Sequence, residues 1–496
     1  MPTLPGARSP DMHQMLSIAH VLGGLLMVFS TTYLLPLLWS LGVSDGTHRS
    51  FFLSGVATLS VGTLLWGASR RHRRELQPRD GVLLVVLGWI SMAGVATVPL
   101  LLEIPGLTFT DAFFETMSGL TTTGATVLVG LDNLPQSLNI WRHALNWYGG
   151  MGIIVLAVAI LPMLGVGGMQ LYKAETPGPI KETKLTPRIT QTAKYLWLLY
   201  ASITVICILM LKWAGMSWLD AVCHAFSSMA LGGFSTRDAS VASFNSPVIE
   251  GVLMIFMMIA VLNFTTHFIA LRQRSLRVYL RDPEVFAVWS LIAGSALMLA
   301  GFLAWQGTYP DFITSLRHAA FNTVSIATSS GYASDDFNKW PIFAPMWMLL
   351  LCTVGSSAGS TGGGVKMIRV LILLRQAGNE LVRMVHPRAV RPLQIGGQII
   401  DNKVVLAVMG YMLLWGLTLV LLTFLMMATG LDFVSSVSGV LACLNNTGPG
   451  LNLLGPADNY QVLTDFQTWL CVFAMLAGRL ELLTVFVLFI PAFWRK

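Results

Sequence analysis

Four short polar stretches, each with a glycine, have residue types that could bind a cation together. They are "TTTGAT" around Gly124, "ALGGFST" around Gly233, "TSSGYAS" around Gly331 and "NNTGPG" around Gly448. The glycines lie 109, 98 and 117 residues apart, which indicates an internal repeat. An extended segment that turns its carbonyl oxygens inward can replace the hydration shell of an ion, and glycine permits the backbone angles that such a segment requires.

The predicted ion-binding residues are each of these glycines and the two residues before it. They form four filter segments: Thr122, Thr123, Gly124; Leu231, Gly232, Gly233; Ser329, Ser330, Gly331; and Asn446, Thr447, Gly448. Leu231 and Gly232 carry no hydroxyl, so the number of side-chain hydroxyls that join the coordination stays open. The predicted carbonyl role does not depend on that number.

The elements that must position these segments are apolar. The chain has 496 residues, of which 54% are hydrophobic and 11% are charged, and its mean hydropathy is +0.67. Soluble proteins carry roughly 25% charged residues. Apolar runs near the bilayer-spanning length of ~20 residues recur along the chain. This composition predicts an all-α polytopic membrane protein surrounded by membrane lipid.

Basic residues cluster in alternate loops. The clusters lie at 70–79, 173–194, 272–281 and 366–391, and the loops between them hold scattered bases. This alternation is the positive-inside pattern, so we expect these loops on the cytoplasmic side. The net charge of +7 is therefore a topology signal, and we expect no nucleic-acid partner.

The order of apolar and polar segments predicts four similar units. Two helices come first, at 14–41 and 51–69; each unit then has a spanning run, a short segment opening near an aspartate, a filter segment and a second spanning run such as 143–169. The short segments cannot cross ~30 Å of hydrocarbon as helices. We expect them to enter from outside and return as extended chain, which membranes tolerate where backbone lines a cavity.

The predicted fold class is therefore an all-α polytopic membrane protein with four pseudo-repeated membrane-pore-membrane units around one central pore. Two extra N-terminal transmembrane helices precede the units. The predicted boundaries are 1–80 for the two-helix region, 81–185, 186–282 and 283–400 for the first three units, and 401–496 for the fourth. The C-terminal end of each short helix would direct the negative end of its dipole at the ion.

Longer motifs resemble a known family, the Trk/Ktr/HKT superfamily of potassium transporters and, within it, the bacterial Trk-type pore subunits. The motifs are "LTTTGAT" (120–126), "WRHALNWYGGMGIIV" (141–155), "KAETPGP" (173–179), "KLTPRITQTAKYLW" (184–197), "GGFST" (232–236), "GSSAGSTGGGVKMIR" (355–369), "VHPRAVRP" (385–392), "NNTGPG" (445–450) and "GRLE" (478–481). The resemblance implies a K⁺-selective filter, with K⁺ as the transported ion and no cofactor. Relatives that favour Na⁺ often have serine in the first filter segment, so Gly124 favours K⁺.

The same resemblance implies the partners and the location. These are a homodimer with one pore in each protomer, a cytosolic nucleotide-binding regulatory ring of the Trk type that docks on the basic inner face, and the bacterial inner membrane. An inside-negative potential supplies about 2.3 kcal/mol per charge per 100 mV, which is sufficient to drive cation uptake.

A glycine-rich stretch interrupts the apolar run 342–374. It is the glycine loop, residues 355–364, and a straight helix would lose ~1 kcal/mol for each glycine against alanine. By resemblance it is an intramembrane gate; the alternative is a helix kink. The predicted gate residues are Gly355, Gly359, Ser360, Thr361, Gly362, Gly363 and Gly364. It lacks the Gly-Lys-Ser/Thr ending of a phosphate loop.

One arginine lies deep in the last apolar run. Arg479 would cost ~2.5–3.5 kcal/mol or more at the bilayer centre, so we expect it to face a polar cavity. The first hypothesis is a pore barrier beneath the filter, close to the glycine loop. The alternative is a buried ion pair, with Glu481 reaching another helix because residues two apart do not share a helix face.

Three other functions are alternatives to gated K⁺ uptake. The nearest is K⁺ symport coupled to Na⁺ or H⁺. An alternating-access transporter for organic solutes predicts inverted repeats and broken helices, whereas these repeats run in one direction. An intramembrane enzyme requires a nucleophile with a base or a set of metal ligands in one cavity, and we predict no catalytic residues.

Overall fold

Apolar helices build this molecule. The computed structural model describes residues 12–72, 77–155, 189–389 and 391–494. Within them six helices are long and apolar enough to cross a membrane, or up to eight if each of two bent pairs is one span. The predicted span 143–169 beyond residue 155, the basic cluster up to residue 188, the boundary between units one and two, and the C-terminal Arg495 and Lys496 lie outside the described residues.

The N-terminal region is a helical hairpin, which confirms the two predicted helices. Its helices are α1 (Met12–Ser30), α2 (Leu34–Val43), which continues the first span after a short 3₁₀ turn, and α3 (His48–Ser69). The spans cross closely at two glycines: a Cβ on Gly23 would lie 2.7 Å from the carbonyl oxygen of Gly62. Such small residues allow helix backbones to approach in a membrane.

The hairpin docks on the first unit at its outer end. Tyr33 stacks on Trp141 with ring centroids 4.5 Å apart, and the Ser137 amide donates to Asp45 at 2.9 Å. Burial raises the pKa of the Asp45 carboxyl, but hydrogen bonds from Ser40 and Ser137 outweigh it, and the net pKa is lowered. The ionised carboxylate is therefore a strong acceptor at this contact.

Units one and two follow the predicted order of spanning helix, short helix and second spanning helix. In unit one these are α4 (Pro78–Ala96) with α5 (Val98–Glu103), α6 (Phe109–Leu120) and α7 (Gln136–Val155). In unit two they are α8 (Ile189–Trp213), α9 (Trp218–Ala230) and the bent pair α10 (Pro247–Ala260) and α11 (Phe264–Gln273). A short helix, α12 (Arg277–Arg281), leads to unit three.

Units three and four repeat this order. Unit three has α13 (Pro283–Trp305), α14 (Phe312–Ala327), α15 (Phe343–Val354) and, after the glycine loop, α16 (Met367–Val385). An antiparallel pair of two-residue strands, β1 (Gln394–Ile395) and β2 (Gln398–Ile399), comes next, with Gln394 opposite Ile399. Unit four has α17 (Asn402–Ala428), α18 (Phe433–Leu444), α19 (Asp465–Arg479) and α20 (Leu482–Phe486), and α21 (Pro491–Trp494) follows it.

The four short helices, here called pore helices, begin with equivalent caps. The side chains of Thr108, Ser217, Asp311 and Asp432 each accept a backbone N–H three residues on, which satisfies a free donor of the first turn. Asp111 and Asp220 therefore stand inside their helices, whereas the other two aspartates are the caps themselves. The cap precedes the filter glycine by 16 residues in units one, two and four, and by 20 in unit three, whose pore helix α14 is longer.

Within the described residues, the second spanning helix is broken in units two, three and four. The axes of α10 and α11 bend by 92°, those of α19 and α20 by 114°, and α15 stops at Val354 before the glycine loop. The glycines of 355–364 predict the third break, and no such cluster marks the other two in the sequence. Asn263 caps α11, and Glu481 has a φ of 61° at the last break. Broken helices are thus present, so the common direction of the repeats is what distinguishes this fold from an alternating-access transporter.

Candidate ion pathway

The filter segments share one backbone pattern. In each, the N–H of the residue before the glycine donates to a carbonyl near the end of the pore helix at 2.8 Å. The four pairs are Thr123 and Ser118, Gly232 and Ser227, Ser330 and Ser325, and Thr447 and Ala442. This is the hydrogen bond that ends many helices in a left-handed turn. Four equal bonds place the four segments in the same register against their helices.

The backbone angles repeat as well. The residue two before each glycine is left-handed, with φ of 53° at Thr122, 55° at Leu231, 61° at Ser329 and 53° at Asn446. The left-handed region costs a residue with a Cβ roughly 1–2 kcal/mol. The four glycines also have positive φ, from 67° to 97°. This alternation turns the chain sharply at the end of each pore helix.

The filter segments close into a ring. A Cβ on Gly124 would lie 2.0 Å from the Gly232 carbonyl oxygen, and one on Gly233 would lie 1.8 Å from that of Ser330. A Cβ on Gly331 would lie 2.0 Å from the Thr447 carbonyl oxygen, and one on Gly448 would lie 2.7 Å from that of Thr123. Each unit therefore contacts the next, and the fourth contacts the first. Each glycine is required for its φ and because the neighbouring carbonyl occupies the space of a side chain.

The second filter segment differs because a side chain from unit one takes its space. A Cβ on Gly232 would lie 2.5 Å from Nδ2 of Asn146, which donates to Ser227 Oγ at 3.0 Å. Units one and three instead have Thr123 and Ser330 at this position. The packing of Asn146 therefore explains why the second filter segment has no hydroxyl at this position.

The carbonyl four residues before each filter glycine, at or next to the end of the pore helix, meets a fixed partner. A Cβ on Gly149 would lie 1.8 Å from Leu120 O, and one on Gly478 would lie 2.0 Å from Leu444 O. A Cβ on Gly355 would likewise lie 2.1 Å from Ala327 O. In unit two the equivalent carbonyl, of Met229, accepts a hydrogen bond from the Thr361 hydroxyl at 3.0 Å. Gly149 therefore allows α7 to approach the end of the pore helix α6 closely.

A buried ion pair supports the ring from outside. Arg142 and Glu115 are each 1% exposed, and their Nη2 and Oε1 atoms lie 2.7 Å apart. Glu115 also accepts the amide of Val127 at 3.1 Å, and Arg142 donates to Ser235 O in unit two at 3.4 Å. The pair connects units one and two. The pair is not among the predicted site residues, although a charged residue in an apolar helix is a signal for such a pair.

Outer acidic residues form hydrogen bonds within the mouth. Asp132 pairs with Arg237 at 3.1 Å, and Asp238 accepts the Leu131 amide at 3.0 Å. Asp238 and Asp458 also line a shallow outer cavity with all four filter glycines. Several of these acids therefore hold loops in place at the entrance to the ring.

The glycine loop lies directly behind the filter segments. The Gly363 amide donates to Ser329 Oγ at 2.8 Å, and a Cβ on Gly363 would lie 2.0 Å from Asn445 O. The predicted interruption of the helix is confirmed, because α15 ends at Val354 and α16 begins at Met367. The segment between these helices is irregular, with turns and bends, and it packs against the filter segments, so the alternative of a simple kink is wrong.

A buried carboxyl group connects the glycine loop to the start of α16. Oε1 of Glu284 accepts the amides of Ala358 at 3.2 Å and Ile368 at 3.1 Å. Glu284 is 4% exposed and belongs to the first helix of the same unit. Two backbone donors with no helical partner thereby share one side-chain oxygen as acceptor.

Arg479 connects the glycine loop to unit one. Its Nη1 donates to Thr361 O at 2.7 Å and its Nη2 donates to Gly149 O at 3.1 Å. Glu481 instead pairs with Arg369 at 2.7 Å. Glu481 thus reaches another helix, as the ion-pair alternative expected, but among the described residues no carboxylate forms an ion pair with Arg479.

Ion transport chemistry fits these contacts better than catalysis does. In the described ranges no group of three or more His, Cys, Asp or Glu side chains could hold a metal ion. The ring instead offers main-chain oxygens, which are the ligands used for alkali cations in channels. The predicted filter, gate and barrier residues contact one another, although their contact with an ion stays a prediction.

Comparison with known proteins gives consistent matches. The family model of TrkH, described as a cation transport protein, matches residues 47–496. The Trk system potassium uptake protein TrkH of Salmonella typhimurium is 46% identical over 482 residues, covering 97% of this chain and 99% of that protein. The Trk system potassium uptake protein TrkG of Escherichia coli is 36% identical over 480 residues, covering 97% and 98%.

A solved structure has the same fold. The crystal structure of the potassium transporter TrkH from Vibrio parahaemolyticus superposes with a TM-score of 0.90 at 42% sequence identity. The match covers 97% of this chain and 100% of that one. Because the match extends over nearly the whole chain, it includes the four units and the helical hairpin that precedes them.

Proposed function

Because this chain belongs to the TrkH family of cation transport proteins, we propose that it takes up potassium ions through a selective pore in the bacterial inner membrane. The family is one of transporters rather than enzymes, and K⁺ is the ion carried by the curated relatives. The chain spans the membrane several times. The finer parts of the proposal are the filter, the gate, the barrier and the partners.

The filter is the set of four segments around Gly124, Gly233, Gly331 and Gly448. The observation that carries this assignment is the closed ring, in which each glycine adjoins the carbonyl oxygen of the next unit. Oxygens from four units around one axis can replace the water around a K⁺ ion. The ring is also held rigidly, because every filter segment is hydrogen-bonded to its own pore helix.

The gate is the glycine loop, with Arg479 as the barrier beneath the filter. The loop donates to the filter through Gly363 and accepts from Arg479 through Thr361. A displacement of the loop would therefore release Arg479 and one filter side chain together. While the loop stays in place, the guanidinium repels a cation that leaves the filter.

The partners are a second copy of the chain and a cytosolic nucleotide-binding ring. The relatives are named as parts of a Trk system, which supports a multicomponent assembly. Helix α16 follows the glycine loop directly and exposes Arg375 and Arg383. A ring that contacts this basic helix could pull on the loop. We keep the unit boundaries of 81–185, 186–282, 283–400 and 401–496 as part of the proposal, with lipid around the outer helices.

Ion fluxes test the filter assignment directly. Purified protein in liposomes is given ⁸⁶Rb⁺ or ²²Na⁺, and the ratio of initial rates is compared among wild type, Gly124→Ser and Gly331→Ser. We expect the wild type to favour Rb⁺ and both variants to lose that preference, because a Cβ at either position would lie 2.0 Å from a neighbouring carbonyl oxygen.

The matched control is Gly416→Ser, because a Cβ there meets no atom within 4 Å. The control should keep the wild-type ratio. An unchanged ratio in both filter variants would show that the ring does not select the ion. Adding Na⁺ or a pH gradient to the same vesicles separates simple K⁺ flux from symport, which requires the second ion.

A further inference from the structure

One filter glycine carbonyl has a partner that the other three lack. The hydroxyl of Tyr460 donates to the carbonyl oxygen of Gly448 at 2.7 Å, and Tyr460 is 2% exposed. In the described part of the chain, the carbonyls of Gly124, Gly233 and Gly331 accept no hydrogen bond. The carbonyls of the four filter glycines are therefore not equivalent.

A single side chain produces this inequality. The backbone amide of Tyr460 donates to Thr126 O at 2.9 Å, two residues after the filter glycine of unit one. On the opposite side, the amide of Ala242 in unit two donates to Ala333 O at 3.0 Å, also two residues after a filter glycine. The two outer loops thus make equivalent backbone contacts, but alanine has no hydroxyl to reach a filter carbonyl.

The hydroxyl approaches from the side of the scaffold. The ring of Tyr460 packs on Phe114 with centroids 5.4 Å apart, and its hydroxyl lies 4.0 Å from Cys443 Sγ on the fourth pore helix. The Gly448 carbonyl is therefore drawn toward buried side chains of the scaffold. A carbonyl oxygen has two lone pairs, and this bond occupies one of them.

We propose that Tyr460 is a specificity-determining positioning residue, which holds the Gly448 carbonyl toward the scaffold and leaves three free carbonyls at this level of the ring. The proposal rests on the proposed filter function. Discrimination between K⁺ and Na⁺ depends on the number and field strength of the coordinating carbonyl dipoles. Fixing one carbonyl sets both the number and the field strength of the dipoles that face the ion. The backbone amide of Tyr460 also fixes the adjoining segment of unit one at Thr126.

The test removes the hydroxyl and keeps the ring. Tyr460→Phe is reconstituted in liposomes and its ⁸⁶Rb⁺ to ²²Na⁺ rate ratio is measured beside wild type and Gly124→Ser. The matched control is Tyr332→Phe, because Tyr332 follows a filter glycine, is 0% exposed and donates its hydroxyl to the carbonyl of His224, outside the filter segments, at 3.2 Å. Thermal unfolding in detergent is recorded for every variant.

We expect the ratio to fall about two- to tenfold in Tyr460→Phe, the range expected for one hydrogen bond, and to change by less than about twofold in the control. An unchanged ratio in Tyr460→Phe, with the ratio lost in Gly124→Ser, overturns the role of Tyr460 and leaves the filter intact. An equal fall in both tyrosine variants also overturns it. If wild type shows no preference or Gly124→Ser keeps it, the proposed filter itself fails.

Discussion

Arg479 is a buried cation whose hydrogen bonds all end on main-chain carbonyls. It donates to Thr361 O and Gly149 O and is 3% exposed. No carboxylate neutralises this guanidinium, so its positive charge acts fully on a cation that enters the space beside it. At 4 Å and an effective dielectric constant of 20 that field is worth about 4 kcal/mol for a unit charge. Arg479 alone can thus oppose the passage of a cation while the glycine loop stays in contact with it.

Replacing Arg479 tests this role at the scale of one residue. We expect Arg479→Ala to raise the ⁸⁶Rb⁺ leak of liposomes that contain the chain alone by about tenfold or more, because each ~1.4 kcal/mol of lost barrier gives a tenfold rate. Arg479→Lys keeps the charge and should leak close to wild type. A leak that does not rise in the alanine variant contradicts the barrier, as does loss of folded protein in both variants, which would indicate a structural role.

The glycine loop is the element whose position decides whether the path is open. It is held by backbone hydrogen bonds with Val261 and Phe264 and by Glu284, which connects it to the start of α16. Because Ala358 and Ile368 both donate to one oxygen, the loop has a fixed width at its base. An element held this way can have two discrete positions rather than a continuum.

Glu284 gives a test at the scale of this element. Glu284→Ala leaves two buried amides unpaired, at ~1–3 kcal/mol each, so we expect a loosened loop and a higher basal ⁸⁶Rb⁺ leak. Glu284→Gln retains an oxygen acceptor at the same site, and its leak should lie between those of the alanine variant and wild type. Equal leaks in all three proteins, at equal yields of folded protein, would mean that Glu284 does not position the loop.

Local signals were sufficient to predict most of the elements from the sequence. Spans were visible as apolar runs, the pore helices as short segments beside glycines, and the loop at 355–364 as a cluster of glycines. The breaks after Ala260 and Arg479 were missed because no comparable cluster marks them. The pairing of Arg369 with Glu481 joins residues 112 apart, so no local pattern indicates it. The same is true of Asn146, which fills the space beside Gly232.

The ring of filter segments is a property of the whole molecule. No unit completes it, because each glycine depends on a carbonyl of the next unit. The sequence predicts four equivalent filter segments, but it does not indicate which side chains make them differ. The departures are Asn146 in place of a hydroxyl at the second segment and Tyr460 at the fourth. Duplicated units that share one chain can diverge in this way while the backbone of the ring stays the same.

The most direct measurement of the central claim is a crystal structure with Rb⁺ replacing K⁺, with anomalous scattering recorded at the rubidium edge. We predict an anomalous peak on the axis between the carbonyl oxygens of Thr123, Gly232, Ser330 and Thr447, and no peak there in crystals grown in Na⁺ alone. A ring without rubidium, with peaks elsewhere in the protein, would contradict the account.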